Sequence, residues 1–343
     1  MSIFKKKEEE KKTEREKVEE RREEVLARGR KFKYPLQYAK HKVVNLTILI
    51  SALAIFAAGT IIYFMLYKFQ NTDDLLYRIT QVLPVSVATV DGEKVRYSDY
   101  LLIYRSTITP IEKQGMVENG QNAENMTDYY KRQALNSAED YTYATKLAKE
   151  LGITVSDDEV NAAVERHRTA GGVERSQETF VRVLQDNFGL SLSEYKRMIY
   201  LSLISEKVSE EIDKVASSTV AEIQNYLSDG ISLKDISDRL GEKVFYEETS
   251  GMVDRMNIDG GRATMAMTLE KGKTSERFTS TSGDGIYFVT LIEKTESAVN
   301  YASIQVPFTE LKSRLEQIRK DNKIEEKIII EEQQNDEKDD FKD

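Results

Sequence analysis

The chain has no cysteine and only two histidines in 343 residues. The first absence excludes disulfides, thiolate chemistry and a lipid anchor attached through cysteine. Any folded part must be held by its core alone, which a domain of this size can manage. The second absence argues against a histidine-based catalytic triad or a multi-histidine zinc site. His41 stands at the edge of a long apolar run, and His167 sits between Arg166 and Arg168, where it reads as a solvated residue near a helix C-terminus. No Asp/Glu cluster has the spacing of a metal site, so no metal or other cofactor is implied. An excess of positive charge is also missing. Charged residues make up 32% of the chain and the net charge is −9, which gives no support to nucleic-acid binding.

What is present is one stretch without charge, Val43 to Tyr67. An α-helix of about 20 apolar residues spans a bilayer core. Asn45, Thr47, Ser51 and Thr60 are its clearly polar side chains, and hydroxyls can bond back to the helix's own carbonyls. A buried core helix of this length would show a polar face; this one shows none. Arg28, Arg30, Lys31, Lys33, Lys40 and Lys42 crowd its N-terminal side, which favours a cytoplasmic N-terminus. About 42 residues precede the run, and it exceeds the apolar core of a cleaved signal peptide. Ala52 and Ala54 lie inside it, where cleavage is implausible. The reading is an uncleaved signal anchor in a cell membrane, with everything from about residue 69 outside the cytoplasm.

Residues 4–33 are Lys, Glu and Arg without an apolar heptad seam, so a coiled coil is not supported. They read as a partly helical or disordered cytoplasmic tail, or as a docking site for a cytoplasmic partner. Beyond the anchor, Val85 to Val90 alternates and is β-branched, Asp91-Gly92 signals a tight turn, and Glu93 to Tyr97 returns. Ser98 reads as the cap of a helix over about 99–106, and 107–127 as a loop. Ala134, Ala138, Tyr141, Ala144, Ala148 and Leu151 mark one face of a helix stopped by Gly152. Ser156 to Glu159 and Ser191 to Glu194 are capping boxes. They open a helix to about 169, ended by Gly171-Gly172, and a long one reaching about 215. Phe180, Leu184 and Phe188 mark a helix between them, stopped by Gly189.

The order of three segments carries a resemblance. Val87 to Gly92, Leu151 to Val160 and Phe180 to Glu194 are similar to the "V-A-x-V-N/D-G" hairpin, the "L-G-I-x-V-S/T-D-x-E" junction and the "F-x-x-x-L-x-x-x-G-x-S/T-x-x-E" helix pair of the SurA, PpiD and PrsA foldases. These are extracytoplasmic chaperones, and the similarity covers about 130 residues. Val220 to Leu227, Gly230, Leu233 to Ile236, Ser250 to Val253, Leu269 to Ser275 and Gly283 to Lys294 resemble the family's second module, a parvulin-type prolyl isomerase domain. The departures bear on its chemistry. Parvulins begin with a strand carrying a His and close on "G-Y/F/W-H-I". Here no His follows residue 168, Tyr287 stands near the closing His position, and the first strand is missing before Val220. Asn300 to Pro307 reads as one more strand. Phe308 to about Ile330 reads as a helix, with Leu311, Leu315, Ile318 and Ile324 on one face, and resembles the family's returning C-terminal helix.

The resemblance implies a mainly α fold with a smaller α+β part. It divides the chain into a charged tail (1–42), a transmembrane helix (43–67), a SurA-N-like helical module (85–215), a degenerate parvulin-like domain (216–306), a C-terminal helix packing back (307–330) and an acidic tail (331–343). The implied function is a membrane-anchored chaperone that binds unfolded or newly exported polypeptides through an apolar groove. The acidic balance favours basic or neutral clients, and the 18 tyrosines serve either adaptable contact or ordinary helical plating. Two alternatives are an active parvulin-type isomerase, against which the missing histidines weigh, and a single-pass scaffold. No catalytic residue is assigned. Met265, Met267, Phe278 and Tyr287 are the candidate peptide-binding residues; their bland alternative is core or surface filling.

Overall fold

The computed structural model describes residues 16–29, 35–113, 115, 121–169, 175–255, 257, 259–280 and 283–330. The start of the charged tail, the Gly171-Gly172 stop and the acidic tail at 331–343 lie outside the described residues. The chain divides into two compact units, Met1–Phe69 and Gln70–Asp343.

The first unit is helical. α1 (residues 16–29) is exposed along its length. α2 (Pro35–Tyr63) continues into a π-helical turn, Phe64–Lys68. Among the described residues, Val43–Lys68 is the one helical stretch long and apolar enough to cross a membrane. Over residues 43–61 its apolar side chains, Leu46, Ile50, Leu53 and Phe56 among them, are exposed, while Leu66 in the π-helical turn is buried. Thr47 and Thr60 donate to the carbonyls of Val43 and Phe56 at 2.8 and 2.9 Å. The helix satisfies its own hydroxyls, as a lipid environment requires.

The second unit begins with α3 (Asp74–Val82) and a hairpin of β1 (Ser86–Val90) and β2 (Glu93–Arg96). Asp91 and Gly92 both have positive φ, +47° and +86°, the backbone that an Asp-Gly hairpin turn needs. α4 (Tyr97–Lys113) and α5 (Gln121–Leu151) follow. The helix expected over 99–106 therefore starts at Tyr97 and runs through Pro110, and the expected loop is helical at both ends. Ser98 is a buried residue inside α4. α5 buries Ala134, Ala138, Ala144 and Ala148 and leaves Leu151 exposed. It ends in a Schellman motif: Gly152, at φ +70°, donates to Lys149 and Ile153 to Ala148. α6 (Asp157–Arg168), α7 (Gln177–Phe188) and α8 (Leu192–Ile212) complete the helical part. Both capping boxes form: Ser156 N–H donates to Glu159 at 2.9 Å and Ser191 N–H to Glu194 at 2.7 Å, with both reciprocal bonds in place.

One residue, Asp213, separates α8 from α9 (Lys214–Ser228), so no strand intervenes. α10 (Leu233–Leu240), β3 (Phe245–Glu247), β4 (Val253–Asp254), α11 (Arg262–Thr268), β5 (Phe278–Thr279), β6 (Gly285–Lys294) and β7 (Ala298–Pro307) form a layered α/β part. The sheet order is β3-β7-β6-β5, with β4 also on β7. Antiparallel β6 and β7 are its centre. Ile286, Phe288, Ile304 and Val306 face α9 and α10, meeting Ile223 and Ile236. Val289, Leu291 and Tyr301 face α11, meeting Ala263 and Ala266. The sheet is thus covered on both sides, as its alternating apolar residues demand.

α12 (Glu310–Lys320) is shorter than the expected helix. Asn322 takes φ +54°, and β8 (Ile324–Glu326) then pairs antiparallel with β1. Ile324, expected on the helix face, lies in this strand, while Leu311, Leu315 and Ile318 are buried in α12. Arg132 of α5 holds Glu326 through two contacts at 2.7 and 2.8 Å, and Arg319 pairs with the fully buried Glu139. The Asp213 carboxylate ties three elements together. It accepts from Ala216 N–H at 2.9 Å and from Thr309 and Glu310 N–H at 2.8 and 3.1 Å, capping α9 and α12 at once.

Candidate functional site

A cleft of about 390 Å³ opens between the helical part and the α/β part. Ala163, Arg166 and His167 of α6 and Ile199, Ser202, Leu203 and Glu206 of α8 form one wall. Gly260, Gly261, Thr264, Met265 and Thr268 at α11, with Phe278, Thr279 and Ser280 at β5, form the other. The capping boxes fix where α6 and α8 begin, and hence which residues reach the cleft. Behind the wall Val160, Val164, Phe180, Leu184 and Ile199 pack into a small core. α11 is held against the sheet by its buried alanines, so Thr264, Met265 and Thr268 turn to the cleft.

Two titratable groups of the α6 and α8 wall are shifted by burial. His167 is half-buried, and its Nδ1 lies 2.6 Å from the Tyr195 hydroxyl. It is not the solvated helix-end residue expected from its arginine neighbours. Burial, with the Arg166 charge second, holds its imidazole below the ordinary value. Glu206 is shifted the other way: burial raises its carboxyl, and the Thr279 hydroxyl opposes the rise. The cleft mixes apolar side chains with hydroxyls and the Arg166 guanidinium, and holds one carboxyl that is costly to ionise and one imidazole that is costly to charge.

Of the four residues singled out from sequence, Met265 and Phe278 line the cleft and Met267 and Tyr287 do not. Met267 packs on the core beneath α11, and its carbonyl accepts from Lys294 at 2.7 Å. Tyr287 is buried in β6, opposite Phe278 in register, with ring centres 6.0 Å apart and nearly parallel. Its hydroxyl donates to Asp284 at 3.0 Å.

Around Tyr287 the sheet carries a polar cluster that sequence reasoning missed. The Arg262 guanidinium lies 5.3 Å from the Tyr287 ring centre and 5.9 Å from that of Tyr301. It donates to Glu247 at 2.8 Å and to the Asp259 carbonyl at 2.9 Å. Ser303 donates to Glu247 at 3.2 Å and Tyr301 to Asp259 at 2.6 Å. Burial and the neighbouring carboxylates hold both phenols well above their ordinary range. Each donor is matched to an acceptor, and the face of each ring is covered by a cation. The one signal in sequence was the alternation of Tyr301 and Ser303 on a strand; Arg262 and Glu247 come from other elements. Among the described residues no group of three or more His, Asp or Glu could hold a metal ion.

The SurA-like N-terminal domain model matches residues 36–209, half of the chain. The match runs from the start of α2 through most of α8 and includes the α6 and α8 wall of the cleft. The protein is a chaperone-type foldase of the SurA, PpiD and PrsA kind. More narrowly, the chain belongs to the SurA-like N-terminal domain family. No curated protein matches it.

Proposed function

We propose that the protein is a membrane-anchored extracytoplasmic chaperone that holds unfolded or newly exported polypeptides in the cleft between α6, α8, α11 and β5. The observation that carries this is the cleft itself: an open slot with one wall on the family's helices, where Ile199, Leu203, Met265 and Phe278 stand among hydroxyls that can serve varied backbones. Burying one apolar client side chain there contributes about 1.5–3 kcal/mol. Several weak, sequence-tolerant contacts of this kind suit a holder of unfolded chains. Met265 and Phe278 are the peptide-binding residues of this reading, and Tyr287 supports Phe278 from behind.

The anchor is α2 with its π-turn. The basic residues before it favour a cytoplasmic N-terminus and put Gln70 onward outside the cytoplasm. Residues 216–306 are a parvulin-like domain whose bond-twisting site has been lost. Isomerisation must overcome an intrinsic barrier of about 18–20 kcal/mol, and it needs an open apolar cradle for the proline ring. At Tyr287 that space holds Arg262, bonded to Glu247 and stacked on two tyrosines. Turnover of a proline peptide by the purified protein, lost in Tyr287→Ala, would revive the isomerase reading.

The test is aggregation of a chemically unfolded protein, followed by light scattering, with and without the purified full-length chain. Suppression that rises with the ratio of chaperone to client is expected. No effect at several-fold excess counts against the reading.

A further inference from the structure

α3 has two unlike faces. Leu76, Tyr77 and Thr80 are buried, and Arg105 of α4 lies 4.5 Å from the Tyr77 ring centre. The outer face carries Leu75 and Val82, with the half-buried Ile79 between them, at i, i+7 and i+4, a single apolar stripe. Leu75 is 69% exposed and Val82 83% exposed. A residue from the far end of the unit is tied to the short connection that leads from the apolar helix to α3. Ile329 is 85% exposed between the buried Ile328 and Ile330, and the Gln70 side chain donates to its carbonyl.

Scattered exposed leucines need no explanation. These residues differ in how close the chain holds them to the apolar helix, which ends at Lys68. An extended residue covers at most about 3.6 Å. Gln70 therefore lies within about 7 Å of the end of that helix along the chain, and Leu75 within about 25 Å. The Gln70 bond brings Ile329 into the same radius. This bound holds whatever the arrangement of the two units. The charges suit a lipid interface as well. Arg78 stands beside the stripe, and Asp74 is offset by Arg78 at 2.7 Å and Arg105 at 2.8 Å.

Resting on the reading of α2 as a membrane anchor, we propose that Leu75, Ile79, Val82 and Ile329 form a lipid-contact edge, which lays the second unit on the bilayer surface. A helix in such a position sinks its apolar face about 5–10 Å into the headgroup boundary. The short connection and the edge together act as two attachments, and they restrict how the unit can turn above the membrane.

The absence of cysteine makes the test clean. The full-length chain, carrying a fluorophore on a single introduced cysteine, is reconstituted into phosphatidylcholine–phosphatidylglycerol vesicles that contain nitroxide-labelled lipid. The labelled variants are Leu75→Cys, Val82→Cys and Ile329→Cys. Leu53→Cys reports on the span, and Val215→Cys and Phe245→Cys report on exposed positions elsewhere. Quenching at 75, 82 and 329 severalfold stronger than at 215 and 245 is expected. Placing L75E and V82E together behind the Ile329 probe should remove most of its quenching. Equal quenching at all five outer positions, or a signal at 329 that those two changes leave untouched, overturns the proposal while strong quenching at Leu53 keeps the anchor. If the Leu53 probe itself escapes quenching, the anchor reading fails and the lipid-contact edge falls with it.

Discussion

The cleft and the Arg262 cluster lie on either side of α11, and they handle polarity in opposite ways. In the cleft, apolar side chains that pack on the cores behind each wall stand beside hydroxyls and charged groups, and two titratable groups are shifted toward their neutral forms. In the cluster, each ring face and each carboxylate has a partner. The first arrangement leaves free energy to be gained from a client. The second has already used its interactions within the fold. The contrast fits the proposed role of the cleft in holding client chains.

Changes in the two regions should therefore separate stability from binding. The largest effect is expected from Tyr301→Ala, which empties a fully buried site in the core beneath the cluster. Its cost is about 3–5 kcal/mol, read as a lowered midpoint in denaturant unfolding, with client holding per folded molecule unchanged. Arg262→Ala leaves Glu247 and Ser303 short of a partner and uncovers two rings, for about 1–2 kcal/mol. It should not impair holding, and a loss of holding equal to that of a cleft variant would erase the distinction. Met265→Asp acts on both: it puts a charge in the slot and weakens client affinity by about tenfold, about 1.4 kcal/mol, and it lowers the unfolding midpoint less than Tyr301→Ala does, since Met265 is only half-buried on its core. The smallest effect is a pH dependence. Because burial raises the Glu206 carboxyl, it takes up a proton at a higher pH than an exposed glutamate does. An apolar client buries it further and favours the protonated form. Affinity for an uncharged client should rise modestly as pH falls from neutral toward 5, and Glu206→Gln should flatten the profile. Burial holds His167 below its ordinary value, so its proton uptake, which an apolar client opposes, is displaced toward lower pH than that of an exposed imidazole.

Features set by local chemistry were legible in the sequence. The uncharged run, the Asp91-Gly92 turn, both capping boxes and the Gly152 stop each depend on residues within a few positions. The buried faces of α5 and α12 followed from their periodicity, except at Leu151 and Ile324. What escaped depended on distant partners. Pro110, Gly115 and Gly120 suggest a loop, yet Ile108 is buried in α4 and holds the helix past that point. The end of α12 was hidden because β8 is stabilised by pairing with β1, more than 200 residues earlier. His167 looked solvated beside two arginines, and only the fold brings Tyr195 to it. Met265 and Phe278, singled out from their position in a resemblance, line the cleft, whereas the α6 and α8 wall opposite them had no marker beyond helical periodicity. Arg262 and Glu247, 15 residues apart in sequence, gave no hint of meeting over two tyrosines.

The most direct test is where a client touches the protein. A photo-crosslinking residue at Thr268 or Arg166, both on the cleft wall, is compared with one at Phe245, which is exposed on β3 away from the cleft. With an unfolded client present, adducts should form from Thr268 and Arg166 and be scarce from Phe245. Equal adducts at all three positions, or adducts from Phe245 alone, would contradict the assignment of the cleft as the chaperone site.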